Sequence, residues 1–188
     1  ESTAWTTGRP GLLPPGGEMS PWWEASRAIA RGDSSRATRL VLDDLDDRSG
    51  RPRRWWPPHS ATPDLIDPIV AALPRPLPTP SADRPEQSLL TLVWALRSTA
   101  RYREASRYGA ECYRVRPSTM LAIHIAACLA LEGDLDGAAQ WIVVGARRDG
   151  DSASDSLLLA ALANDEEFER LRSRDDVRRL IATLSAGR

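Results

Sequence analysis

Lysine is absent from this sequence of 188 residues, and all 25 basic residues are arginine. The absence excludes chemistry that needs an amine side chain, such as a lysine Schiff base, and it removes the lysine that contacts the phosphates in a P-loop nucleotide site. The formal net charge is −1, with 26 acidic residues. Because the charges balance, we expect no uniform attraction to nucleic acid or to an anionic membrane.

Cysteine and histidine are rare, with two of each. Cys112 and Cys128 lie among apolar residues in segments of helical periodicity, which predicts buried thiols. A structural zinc site needs four suitably spaced Cys or His ligands, so we predict no metal or cofactor. His124 and Cys128 share a helical face, but the sequence marks no oxyanion donor and no cleft. We therefore interpret His124 as structural and predict no catalytic residue.

Long hydrophobic runs are also missing, since none approaches the roughly 20 residues that span a bilayer. The first 15 residues lack the basic and apolar segments of a signal peptide. We predict a cytoplasmic chain without membrane insertion. The sequence begins with Glu1 rather than Met, so we expect a region of a longer protein. The hydrophobic fraction of 41% is enough to build a core.

Proline and glycine divide the chain into regions. Residues 1–19 are rich in both and are predicted to form a flexible or extended arm. Residues 20–50 have the periodicity of a helical hairpin, with helices near 20–31 and 34–47. Residues 51–86 are predicted to be a proline-rich linker or insertion, with one short helix near 63–73 and a polyproline-like stretch at 74–80.

Residues 87–188 are predicted to be helical throughout. Two helix pairs are expected, the first ending at Pro117 and the second formed by residues 121–131 and 135–146. Short helices near 154–163, 165–172 and 174–185 resemble a closing cap. No convincing alternation with a period of two residues appears, so the predicted fold class is all-α.

Small residues repeat in step with these helix pairs. Ala37, Ala105 and Ala138 lie early in the second helix of each pair, spaced by 68 and 33 residues, which are close to two units and one unit of a period of about 34 residues. The corresponding places in the first helices are taken by Ala25, Val93 and Ala126. A turn precedes each second helix (residues 31–33, 100–102 and 132–134), and Pro117 closes one unit.

On these residues the chain resembles the tetratricopeptide repeat (TPR) family over residues 20–48 and 87–150, and residues 164–180 are similar to the end of bacterial arrays of this family. The resemblance implies a TPR-like α-α superhelix of helical hairpins. It also implies a non-enzymatic interaction module, a region of a larger bacterial protein that binds a peptide or helix of a partner.

The resemblance places a partner-binding groove on the first helix of each unit. The matching positions that we predict to bind a partner are Leu90, Trp94, Arg97, Met120, Ile123, Ala127 and Leu131. Such a groove is apolar and suits an amphipathic helix or an extended apolar peptide. Two alternatives stay open for Trp94, Ile123 and Leu131: these side chains belong to the core, or the chain's own proline-rich arm covers them. Capture of a terminal carboxylate is not expected, because Arg97 is almost the only cation.

Two tryptophan pairs add further candidates for partner contacts. Adjacent residues on a helix point about 100° apart, so Trp22 and Trp23 cannot both face one core, and Trp55-Trp56 raises the same problem. We predict that Trp22, Trp55 and Trp56 contact a second surface, in this chain or in a partner. Three arginines lie near Trp55, a mixture that can stack on single-stranded nucleic acid. The cluster is short, so nucleic acid is not the predicted partner.

The predicted function is therefore protein–protein interaction without a small-molecule substrate. The alternative is a regulatory or substrate-positioning region attached to a catalytic domain that lies outside this chain.

Overall fold

A computed structural model describes residues 21–46, 67, 70–71, 73, 76–82, 86–148 and 152–186 of the chain. Most of these residues are helical and none is in a β-strand, which confirms the all-α fold class. The predicted arm at residues 1–19 lies outside the described residues. The chain divides into two compact units, Glu1–Pro78 and Thr79–Arg188.

The first unit contains a helical hairpin. Helix α1 (Pro21–Ala30) packs against helix α2 (Ser34–Asp46). Ala25 and Ala37 are fully buried, as are Val41 and, almost completely, Ala28. Small side chains at a helix crossing allow two backbones to approach closely, so these alanines hold the hairpin together. Of the short helix predicted near residues 63–73, the described residues 67, 70 and 71 are helical.

The second unit is a chain of helices in sequence order. They are α3 (Glu86–Ser98), α4 (Tyr102–Val115), α5 (Thr119–Glu132), α6 (Leu135–Arg148), α7 (Ser152–Asn164), a 3-10 turn (Glu166–Phe168), α8 (Glu169–Arg172) and α9 (Asp175–Ala186). Each of α3 to α6 packs against the next. Helix α5 is central, since it also contacts α3, α7 and the 3-10 turn.

Three hairpin turns, α1–α2, α3–α4 and α5–α6, have the same backbone geometry. Gly32, Ala100 and Gly133 each adopt a left-handed conformation, with φ of 77°, 57° and 88°. Each donates its N–H to the carbonyl three residues back, and the following N–H is donated to the carbonyl five residues back. This pattern closes a helix by satisfying its last carbonyls.

The turns lie in register with the buried small residues. The left-handed residue precedes Ala37, Ala105 or Ala138 by the same number of positions, and the backbone N–H of each alanine is donated to the carbonyl of the residue after the left-handed one. All three alanines are fully buried. The three hairpins are thus equivalent in turn geometry and in the position of a fully buried alanine. In the middle hairpin the equivalent turn is formed by residues 99–101, one residue earlier than the predicted turn at 100–102.

Two glycines mark the closest helix contacts around α5. A Cβ at Gly109 of α4 would lie 2.8 Å from Cγ1 of Ile125. A Cβ at Gly145 of α6 would lie 3.1 Å from the Cβ of Ala122, and the nearby Thr119 hydroxyl donates to the Gly145 carbonyl at 3.2 Å. These positions admit little more than hydrogen, so α4 and α6 can both lie close against α5.

The C-terminal helices close the end of this core. Phe168, Leu171 and Val177 join one cluster of buried residues with Ile123, Ala126, Ala127, Ala130, Ala138, Ala139, Ile142, Leu158 and Leu162. Arg172 fixes the turn after α7, because its guanidinium donates to the carbonyls of Leu162 and Asp165, both at 2.6 Å. No helix among the described residues is long and apolar enough to cross a membrane.

Candidate partner-binding face

The predicted groove residues fall into two groups in the structure. Leu90, Ile123 and Ala127 are buried, whereas the other four keep solvent-accessible surface: Trp94, Arg97 and Met120 are half-buried, and Leu131 is 42% exposed. We refer to these seven residues as the groove face. Trp22 lies in α1, but its side chain, like Trp55 and Trp56, is outside the described residues.

The burial of Ile123 and Ala127 has a clear origin. Both belong to the core cluster that contains Phe168 of the 3-10 turn and Leu158 of α7, and the 3-10 turn packs directly on α5. The alternative of a core position therefore agrees with the burial of Ile123, whereas Trp94 and Leu131 keep accessible surface. Among the described residues, the segment that packs over them is C-terminal.

Arg97, on α3, is held by residues from two other elements. Its Nη1 donates to Nδ1 of His124 on α5 at 3.2 Å, and its Nη2 forms an ion pair with the carboxylate of Glu167 in the 3-10 turn. The Arg97 side chain is 20% exposed and that of Glu167 is 15% exposed. Arginine suits such a position because its planar guanidinium offers several donors in a fixed arrangement.

Burial sets the charge states around Arg97. It lowers the pKa of Arg97 below its usual range, and the negative charge of the neighbouring Asp165 carboxylate only partly opposes this shift. Burial, helped by the positive charge of Arg97, lowers the pKa of His124 to about 3. His124 is therefore neutral near pH 7, and its Nδ1 accepts the hydrogen bond from Arg97, which leaves the proton on Nε2.

The same environment keeps the Cys128 thiol protonated. Burial raises the pKa of Cys128 to about 12, although Arg97 opposes the shift. A thiol with such a high pKa is a poor nucleophile, because the thiolate is the reactive form. His124 and Cys128 are thus both neutral and do not form an activated pair. The thiols of Cys112 and Cys128 are both buried, as predicted, and neither forms a disulfide.

No group of three or more His, Cys, Asp or Glu side chains within the described ranges is arranged to hold a metal ion. Arg97 contributes polar contacts to the groove face, with His124 and with Glu167.

Glu167 is the residue of this face that sequence reasoning missed. The sequence places Glu167 in the short helix near 165–172 that resembles a closing cap, but no local pattern relates it to Arg97, which lies in a different helix pair. Their contact depends on how α7 turns back onto α5 after Asn164. The signal in the sequence that suggests this contact is Arg97 itself, because a nearly isolated cation in an apolar groove requires an acidic partner.

Comparison of the chain with protein-family models, with curated proteins and with solved structures gives no match.

Proposed function

We propose that this chain is a TPR-like protein-interaction module, which binds an apolar segment of a partner protein through its groove face and performs no catalysis. The observation that carries the proposal is the threefold equivalence of the hairpins, each with a left-handed turn residue in fixed register with a fully buried alanine. Repeated helical hairpins stack to bury a continuous core, and their extended surfaces commonly bind peptides.

The chemistry of the groove face agrees with a binding role. Trp94, Met120 and Leu131 keep accessible apolar surface on α3 and α5. Aromatic side chains and Met are enriched at protein interfaces, where a few anchors supply most of the binding energy. The polar side chains beside them, Arg97 and Glu167, are already paired.

The proposal is tested by selecting binders from a random peptide library on the intact chain and measuring the affinity of the selected peptides by calorimetry. Leu131→Ser should weaken binding about tenfold or more, the loss typical of an interface anchor. Leu157→Ser is the matched control, since Leu157 is a similarly exposed leucine, at 38%, on α7. It should leave the affinity unchanged.

Trp94→Ala should abolish binding while the helical circular-dichroism signal stays near that of the parent. Unfolding would instead assign Trp94 to the core, because truncation of a core aromatic costs about 3 to 5 kcal/mol. Failure of the library to yield any binder, or equal losses from the Leu131 and Leu157 variants, would contradict the proposed function.

A further inference from the structure

We infer that Glu167 determines the specificity of the groove face: by neutralising Arg97 within the chain, it makes the face accept an uncharged, apolar partner segment and reject an acidic one. The inference rests on the proposed function and names the kind of partner.

The first step concerns the donors of Arg97. Its two terminal nitrogens both have partners inside the chain, Nη1 with His124 and Nη2 with Glu167. A carboxylate of a bound peptide would have to displace Glu167 to make the bidentate contact that arginine offers. Glu167 is only 15% exposed, so its displaced carboxylate would lose its partner without gaining full solvation.

The second step concerns the local charge. Asp165 is close enough to act on Arg97 electrostatically, so two carboxylates surround one guanidinium. His124 is neutral and contributes no positive charge. An acidic side chain that approaches Arg97 therefore meets a cation that is already paired, and the carboxylates of Glu167 and Asp165 repel it. Repulsion of the wrong ligand is a common source of specificity.

The third step concerns what remains for a ligand. The accessible apolar parts of the face are the side chains of Trp94, Met120 and Leu131. An uncharged segment buries this surface without separating the Arg97–Glu167 pair. An apolar helix or extended strand with few acidic residues is the partner that meets both conditions.

The test compares peptide selection on the intact parent chain, on Glu167→Gln and on Asp165→Asn/Glu167→Gln, starting from one random library. Peptides selected on the parent should be depleted in Asp and Glu. Peptides selected on the variants should be enriched in these residues, most on the double variant. Adding Arg97→Gln to the double variant should remove the enrichment, because it removes the released cation.

A matched pair of peptides makes the comparison quantitative. One selected peptide is synthesised in two forms, with Gln or with Glu at the position where this exchange changes the affinity for the parent chain most. The parent should bind the Gln form about tenfold more tightly than the Glu form, and Glu167→Gln should reduce or reverse that preference. As a control, Leu157→Ser on α7 should leave the preference for the Gln form unchanged, since Leu157 lies outside the groove face. Asp165→Asn alone should narrow the preference in the same direction as Glu167→Gln, and it serves if Glu167→Gln loses its helical signal.

Two results overturn the inference alone: selection of acidic peptides by the parent, or an unchanged preference after Glu167→Gln in a folded chain. A preference that Asp165→Asn does not narrow would do so as well. Absence of any selected peptide on the parent chain would instead refute the proposed function, and this inference with it.

Discussion

At the scale of single residues, His124 lies in a setting that disfavours its protonated form. It is a part-buried residue of α5, and the guanidinium of Arg97 donates to its Nδ1. Protonation would remove that acceptor and place two positive charges side by side. The buried Cys128 thiol nearby is neutral as well, so it offers no compensating charge. The neutral imidazole is therefore part of the folded state.

This setting predicts a stability that depends on pH. The pKa of His124 falls from 6.5 in the unfolded chain to about 3 in the folded chain, so the unfolded state binds more protons between these values. The stability that neutral His124 contributes is present above pH 6.5 and is lost progressively as the pH falls toward 3. Lowering the pH from 6.5 to 5 should reduce the free energy of unfolding by about 1 to 2 kcal/mol. Urea denaturation at each pH measures it.

The control is His124→Asn, which keeps a carbonyl acceptor near the position of Nδ1 but cannot titrate. The variant should lose most of the dependence between pH 6.5 and 5, a range that lies above the titration of ordinary carboxyl groups. His59 remains in both proteins and provides the background of an unrelated histidine. An equal slope in parent and variant would show that His124 is not the titrating group.

At the scale of elements, the three hairpin turns differ in one residue that matters. Gly32 and Gly133 take the left-handed conformation without steric cost, whereas Ala100 takes it at φ 57° with a Cβ. The cost for an L-residue in this conformation is about 1 to 2 kcal/mol. The middle turn is therefore held by the helices that it joins, α3 and α4, rather than by its own preference.

Reciprocal substitutions test this difference. Ala100→Gly should raise the free energy of unfolding by about 0.5 kcal/mol, because the relieved strain exceeds the added entropy of the unfolded chain. Gly133→Ala should lower it by about 1 kcal/mol, since a Cβ there meets no atom within 4 Å and the effect is purely conformational. Chemical denaturation of both variants gives the two signs. The same sign for both would contradict the equivalence of the turns.

The helices themselves were predictable because their signals are local. Apolar spacing placed the ends of α5 and α6 within two residues, at 121–131 and 135–146. Turn residues such as Gly133 placed the boundaries. Local patterns say nothing about which later segment folds back onto α5, so they left Ile123 and Ala127 as groove candidates. Phe168 belongs to the same buried cluster as Ile123 and Ala127, and this proximity exists only in the folded chain.

At the scale of the whole molecule, the second compact unit, Thr79–Arg188, has a core of its own. The second unit has a core cluster formed by residues of α5 to α9, together with buried residues of α3 and α4 such as Leu92 and Cys112. Surface ion pairs add to its closure: Arg174 lies 2.7 Å from Asp136 of α6 and 3.0 Å from Asp176 of α9. A unit with its own core is expected to fold without the rest of the chain.

Residues 79–188 expressed alone should therefore unfold cooperatively and show the circular-dichroism spectrum of a helical protein. The physical reason is that the core cluster and the close contacts at Gly109 and Gly145 lie entirely within this range. Ending the same fragment at residue 164 is the matched comparison, since it removes Phe168, Leu171 and Val177 from the cluster. That shorter fragment should lose cooperative unfolding, because several large core side chains, each contributing about 2 to 5 kcal/mol, are missing. If residues 79–188 fail to fold while the full chain folds, the first unit must complete the core, and the division into independently stable units does not hold.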